Sequence, residues 1–282
     1  MIRRPRSIIL IAGMAVMLAM PGACKAAFTL FSVGGDNTTS SIQATVDQFR
    51  DALGNPNNGN APGPLPDGRR EINWDGGGAT TATQTGTPLD AFLNIRGSRY
   101  TTPGTGFLQT PLNAPELLNI NPSYGTTFNF FSPLRIFTPL GSNITEVTFF
   151  IPGTNGASPA TVSGFGVVFT DVDLANTTRL EFFDVNGTQL FSANALPGTV
   201  PNGSFSFLGA IATAGEQIAR VRITTGTTAL GSNDNPSAGV DVVAMDDVFY
   251  SEPVPEPASL TLLGLGLAGV IGLGRRLRQW AR

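Results

Sequence analysis

The sequence predicts a mainly β protein: an antiparallel β-sandwich of jelly-roll type with one amino-terminal helix on its flank and an apolar helix at each end of the chain. Three observations lead there. From Tyr124 onward the chain is a succession of short runs rich in Val, Ile, Phe and Thr, residues that suit a pleated, half-buried surface. Turn residues separate these runs at the spacing of a sandwich or barrel. The long apolar periods that suit βαβ units are missing.

Taken in order, Phe28–Val33 is a short apolar strand leading into a Gly/Asn turn that ends at Asn37. Ser40 then opens the strongest helix signal. Ser40 and Gln43 stand at capping-box spacing, where each side chain satisfies an orphan donor of the first turn. Ile42, Val46, Phe49 and Leu53 follow on one apolar face, and Gly54 closes the helix. Asn55–Gly68, rich in Asn, Gly and Pro, and Gly76–Thr87, rich in Gly and Thr, are expected to be loops. Between them lies the densest charged patch of the body, Arg69 to Gly76. Strands are expected at Thr126–Phe131, Leu134–Phe137, Glu146–Ile151, Gly164–Asp171, Leu180–Asp184, Gln189–Ser192, Ser204–Leu208, Ala219–Thr224, Val240–Met245 and Val248–Tyr250. Alternation puts Phe205 with Phe207, and Val221 with Ile223, on single faces. Asn186-Gly187 predicts a two-residue hairpin turn with positive φ at both positions.

Both ends of the chain read as export signals. Arg3, Arg4 and Arg6 precede the apolar stretch Ile8–Met20 and a small-residue exit through Ala26 and Ala27, the pattern of a secretory signal peptide over residues 1–27. Cys24 would be the acylated residue of a lipoprotein, but Pro21 stands where a lipobox needs an aliphatic residue. Arg3-Arg4 lacks the following pair expected of twin-arginine export. At the other end, Pro255, Glu256 and Pro257 precede a charge-free apolar run over 258–274, a short transmembrane helix, and then Arg275, Arg276, Arg278 and Arg282. Arginines after an apolar span mark its cytoplasmic side, so both tips lie inside and everything between them outside. This order of parts resembles the PEP-CTERM sorting signal, and Pro255, Glu256 and Pro257 carry the resemblance. It implies an exosortase-like processing enzyme as partner, membrane attachment through 258–274 before processing, and delivery to the cell surface or exterior. The expected organisation is signal peptide 1–27, β-sandwich body 28–252 and sorting tail 253–282.

The tails distort the charge balance. Residues 28–257 hold nine arginines, no lysine and all twenty carboxylates, a net charge of −11. Phosphate backbones repel such a body, which argues against nucleic acid as a partner. It has no histidine and no cysteine, which excludes disulfides, Cys or His zinc sites and a Ser-His-Asp triad.

Carboxylates, hydroxyls, arginines and a few aromatics carry whatever chemistry remains. Asp171 and Asp173 are expected to share a face at one strand end, and Asp241, Asp246 and Asp247 lie at or before the terminal strand. If they converge, oxygen ligands without His or Cys suit calcium; otherwise they are turn and cap residues. The sequence demands no cofactor beyond that ion. Trp74 between Glu71 and Asp75 has the composition of a sugar-binding platform, though an Arg–Glu pair on a strand with Trp74 in the core is the simpler and favoured reading. Glu71, Asp75, Glu146 and Glu181 could supply the two carboxylates of a glycosidase. The Asn-x-Ser/Thr sequons are read as chance. The function expected is a non-enzymatic envelope or extracellular-matrix protein presenting loops to exopolysaccharide or envelope partners; a secreted carbohydrate-active enzyme is the alternative.

Overall fold

A computed structural model of the chain describes residues 26–256. The expected signal peptide, the apolar run 258–274 and Pro257 fall outside these residues, apart from Ala26 and Ala27. Among the described residues no helix is long and apolar enough to cross a membrane.

The described chain is mainly β with few helices. In order it contains β1 (Phe28–Gly34), α1 (Ser40–Leu53), β2 (Arg69–Ile72), β3 (Thr83–Thr85), β4 (Ser98–Thr101), β5 (Gly106–Thr110), α2 (Pro115–Leu118), α3 (Tyr124–Thr127), β6 (Ile136–Leu140), β7 (Ile144–Phe150), β8 (Pro159–Thr161), β9 (Gly164–Thr170), β10 (Arg179–Phe183), β11 (Gln189–Asn194), β12 (Phe205–Ala212), β13 (Arg220–Thr224), a 3-10 turn (Pro236–Ala238), β14 (Ala244–Ser251) and β15 (Val254–Pro255). One sheet runs β1-β12-β9-β14-β6-β5-β3, with β2 added on β14. The other runs β11-β10-β13-β7-β8-β15, with β4 added on β7. All of these strand pairings are antiparallel.

One core joins the two sheets. Phe165, Val167, Phe169 and Leu208 from the first sheet meet Val147, Phe149, Phe182 and Val221 from the second. The first sheet is apolar on its other face as well, where α1 lies across it. Ile42, Val46, Phe49 and Leu53 pack on Val168, Phe205, Phe207 and Phe249. That explains why β9 and β12 read as nearly continuous apolar runs: both of their faces are buried. Gly166 and Gly209 make room for the helix. A Cβ on either would come within 2.7–2.8 Å of the Phe49 ring, so the ring rests against bare backbone.

Several elements differ from the sequence reading for identifiable reasons. The helix has the expected span, but the capping box does not form. Gln43 Nε2 donates to Asp47 instead, and the side chain of Asp36 accepts from Thr38 N and Thr38 Oγ1 ahead of the first turn. Thr126–Phe131 is not a strand: it holds the second half of α3 and an irregular segment, because Tyr124 and Phe128 turn into a third apolar cluster with Leu108, Leu117 and Ile136. Val240–Met245 and Val248–Tyr250 are not two strands; a single strand begins at Ala244, with a bulge between Met245 and Val248. Gly187 takes φ 79° while Asn186 is not among the positive-φ residues, and Asp184 N bonds Thr188 O across a three-residue loop. Part of the expected Gly76–Thr87 loop is β3, paired with β5. β4 and β5 carried no strand signal strong enough to be expected.

The Phe49 contact sets a measurable cost. Phe49→Ala should lower unfolding free energy by about 3–5 kcal/mol. Gly209→Ala should lower it by about 1–3 kcal/mol through overpacking. Combining Gly209→Ala with Phe49→Leu should cost less than the sum of the two single changes, in urea unfolding followed by circular dichroism.

Candidate functional site

The five aspartates proposed from sequence as a calcium set do not converge. They divide between the middle of β14 and the loops beyond the end of β9.

Asp246 and Asp247 form the bulge of β14, the pair of residues that opposes Val168 on β9. They are therefore inside the strand rather than ahead of it. A bulge re-aims side chains, and here it turns both carboxylates into the protein. Asp246 Oδ2 accepts from Phe131 N at 2.7 Å, and the indole of Trp74 donates to Asp246 O at 2.6 Å. The Ser132 hydroxyl donates to Asp247 Oδ1 at 2.6 Å, and Arg50 Nη2 lies 3.7 Å from Asp247 Oδ2. Burial first, and the Asp247 charge second, push Asp246 well above the ordinary carboxylate range. Burial also raises Asp247, to about 6, against the opposing pull of Ser132 and Arg50. Of the two, Asp246 has the surroundings that more strongly favour the neutral carboxyl. The pair is a buried dyad whose carboxylates already take partners from Phe131, Ser132 and Arg50.

Asp171, Asp173 and Asp241 do gather, and they bring Asp234, a residue the sequence reading missed. Strand alternation does not place Asp171 and Asp173. β9 ends at Thr170, and Asp171 takes φ 70°, which breaks the alternation. Asp171 is fully buried; its Oδ1 accepts from Gly203 N at 3.0 Å, and its Oδ2 has no hydrogen-bond partner among the described residues. Asp171, Asp173 and Asp234 each offer a carboxylate oxygen, and these oxygens all lie within 4.8 Å of one another. Asp241 is the strut beneath them. It accepts from Asp173 N at 3.2 Å, from Leu174 N at 3.3 Å and from the Thr177 hydroxyl, so its oxygens are already engaged. Burial and then neighbouring negative charge raise Asp171 to about 9 and Asp173 to about 7. Burial likewise raises Asp234 and Asp241. No salt bridge among the described residues reaches this group; the arginines pair with Asp47, Glu71, Asp90, Glu146, Glu181, Asp247 and Glu252. The only hint of Asp234 in the sequence was its place in the polar run Asn233-Asp234-Asn235-Pro236.

The weak ligand set Glu71, Trp74 and Asp75 is built into the framework. Trp74 is 1% exposed, stacks on Phe137 at 3.7 Å and meets Phe92 and Tyr100 edge-to-face at 5.3 Å. A ring so enclosed has no face for a sugar, because its apolar area gains more by joining the core. Glu71 pairs with Arg69 at 2.6 Å and Arg50 at 3.2 Å. Asp75 Oδ1 accepts from Leu134 N and Arg135 N. The remaining glycosidase candidates face arginines too: Glu146 accepts hydrogen bonds from Arg220 and Arg222, and Glu181 lies in an ion pair with Arg179 at 3.1 Å.

The carboxy-terminal end of the body meets the sorting tail without a linker. Arg70, fully buried, clamps Glu252 through Nε–Oε2 and Nη2–Oε1, both 2.7 Å. Val254 and Pro255 then pair as β15 with Thr161 and Ala160 of β8. Glu256 follows, half-buried beside Phe150, Pro159 and Arg220.

Replacing Asp246 with Asn should imitate the protonated dyad. A carboxyl whose folded pKa is raised makes the protein bind more protons folded than unfolded, so stability falls as pH rises from the unfolded value towards the folded one. Between pH 6 and 8 the slope of unfolding free energy against pH should therefore be smaller in Asp246→Asn than in wild type, by about 1.4 kcal/mol per unit. Parallel urea titrations at several pH values check this; identical slopes would show that Asp246 does not hold its proton.

No curated protein matches the chain. Residues 253–279 match the family model described as the PEP-CTERM protein-sorting motif, so this chain carries a tail of the kind that marks an exported protein for an exosortase-type processing enzyme.

Proposed function

We propose that the body is a non-enzymatic jelly-roll-type sandwich, displayed at the cell surface or in the extracellular matrix after the tail is processed, where its loops meet exopolysaccharide or envelope partners. Residues 1–27 act as the signal peptide, 28–252 as the body, and 253–282 as the sorting tail with a transmembrane helix over 258–274. Calcium is the one ion proposed to bind.

The observation that carries this reading is the junction. β14 is an interior strand of its sheet, Glu252 is held by Arg70, and the sorting motif starts at the next residue. A folded body joined so closely to the motif is held against the membrane surface until the tail is cut, which suits a cargo to be displayed or released. The non-enzymatic reading is supported by Glu71, Asp75, Glu146 and Glu181, each already bound by arginines or backbone amides.

Two experiments test the proposal. In the native host Glu256→Ala should accumulate as an unprocessed, membrane-bound precursor, seen as a larger band in the membrane fraction; normal maturation would refute sorting through this motif. The exported protein should bind neutral exopolysaccharide on a glycan array without releasing reducing ends from a polysaccharide panel. Turnover of any member of that panel would favour the secreted carbohydrate-active enzyme instead.

A further inference from the structure

Asp171 presents a problem that the rest of the fold does not solve. Its side chain is fully buried, yet Oδ2 has no donor within reach. Buried carboxylate oxygens are normally satisfied, since stripping water from one without replacement costs free energy. Two further carboxylates, Asp173 and Asp234, converge on the same place, and no arginine pairs with any of the three among the described residues. Three acids at such range repel one another when ionised, and either protons or a cation between them relieve that repulsion.

We propose that Asp171, Asp173 and Asp234 bind one Ca²⁺, which ties the Gly231–Gly239 loop to the carboxy-terminal end of β9. The spacing fits that ion. Ligands on opposite sides of Ca²⁺ are separated by roughly 4.6–5.2 Å, twice the Ca–O distance, and the three oxygens fall within 4.8 Å of one another. The donors are all oxygen, as Ca²⁺ prefers. Access is open on one side. Asp173 and Asp234 are half-buried and line a depression with Gly198, Asn202 and Asn235, through which the ion and its remaining water ligands enter. The anchors on the protein side are fixed: Gly203 N holds Asp171, Val242 N holds Asp234 at 3.0 Å, and Asp241 accepts from Asp173 N and Leu174 N. The site stands apart from the sorting tail, so its failure would remove the calcium part of the proposed function and leave sorting and display untouched.

The test uses the full chain purified in detergent. Equilibrium dialysis with ⁴⁵Ca²⁺ should give one bound ion. Thermal melting should rise by about 5–10 °C in CaCl₂ at a hundredfold excess over Kd relative to EDTA. MgCl₂ should give a smaller rise, since Mg²⁺ demands tighter octahedral geometry and sheds water reluctantly. Hydrogen exchange in the loop carrying Asp234 should slow with CaCl₂. D173N combined with D234N should remove both the bound ion and the shift, while melting in EDTA no lower than wild type, because the repulsion is gone. If that double variant does not fold, D234N alone, on the exposed loop, carries the comparison. Equal melting in 10 mM CaCl₂ and in EDTA would overturn the proposal. So would an undiminished calcium shift in D234N, or an equal response to MgCl₂.

Discussion

The last strand of the body is an interior strand, and the rest of the molecule depends on it. β14 pairs with β9 along one edge and with β6 and β2 along the other, and every one of its residues is buried. Val248 and Tyr250 face the core between the sheets, while Phe249 faces α1. An interior strand this late in the chain means the first sheet cannot close until the chain is complete up to Ser251. Its bulge then fixes the surroundings. By turning Asp246 and Asp247 inward, it gives Phe131, Ser132 and the Trp74 indole their hydrogen-bond partners. The segments before β6 and after β2 are thereby pinned to the same point.

The Arg70–Glu252 pair finishes this arrangement. Its partners are 182 residues apart and both are buried. Such a pair adds little net stability over an apolar replacement, because desolvating two charges offsets most of their attraction. What it supplies is position. Arg70 also donates to the carbonyls of Gly59 and Ala61, and Glu252 accepts from Asn58 and Leu65, so the Pro- and Gly-rich loop is gathered at the exit of the chain. The sorting motif therefore leaves from a rigid base, and its first residues lie along the edge of β8.

Charge is distributed unevenly around this frame. With nine arginines for twenty carboxylates, the body cannot pair every acid. The arginines go to the strand faces and the helix, where Glu71, Glu146 and Glu252 need them. In the β14 dyad, burial and the neighbouring Asp247 charge favour the neutral form of Asp246, which lessens its need for an arginine. The loops beyond β9 are left with acids that have neither arginine nor a complete set of hydrogen bonds, and that is where a cation has most to offer.

The sequence by itself determined whatever depends on neighbours along the chain. The sorting tail is contiguous, so proline, glutamate, proline, apolar run and arginines could be read directly. Helix α1 was legible because 3.6-residue periodicity and a closing glycine are local, and most strands from β7 onward because alternation is local too. Tertiary structure decided everything that depends on residues far apart. The grouping of Asp171 with Asp234 depends on which loops meet at one end of the sheet, and strand order is not written in periodicity. The placing of Asp246 and Asp247 depends on a single bulge, which reverses the face of each side chain that follows it. Trp74 lies in the core rather than on the surface because Phe137, Phe92 and Tyr100 come from other strands and loops to enclose it. A capping box at the right spacing failed for a comparable reason: Gln43 found Asp47 one helical turn away, and Asp36 reached the entry of the helix first.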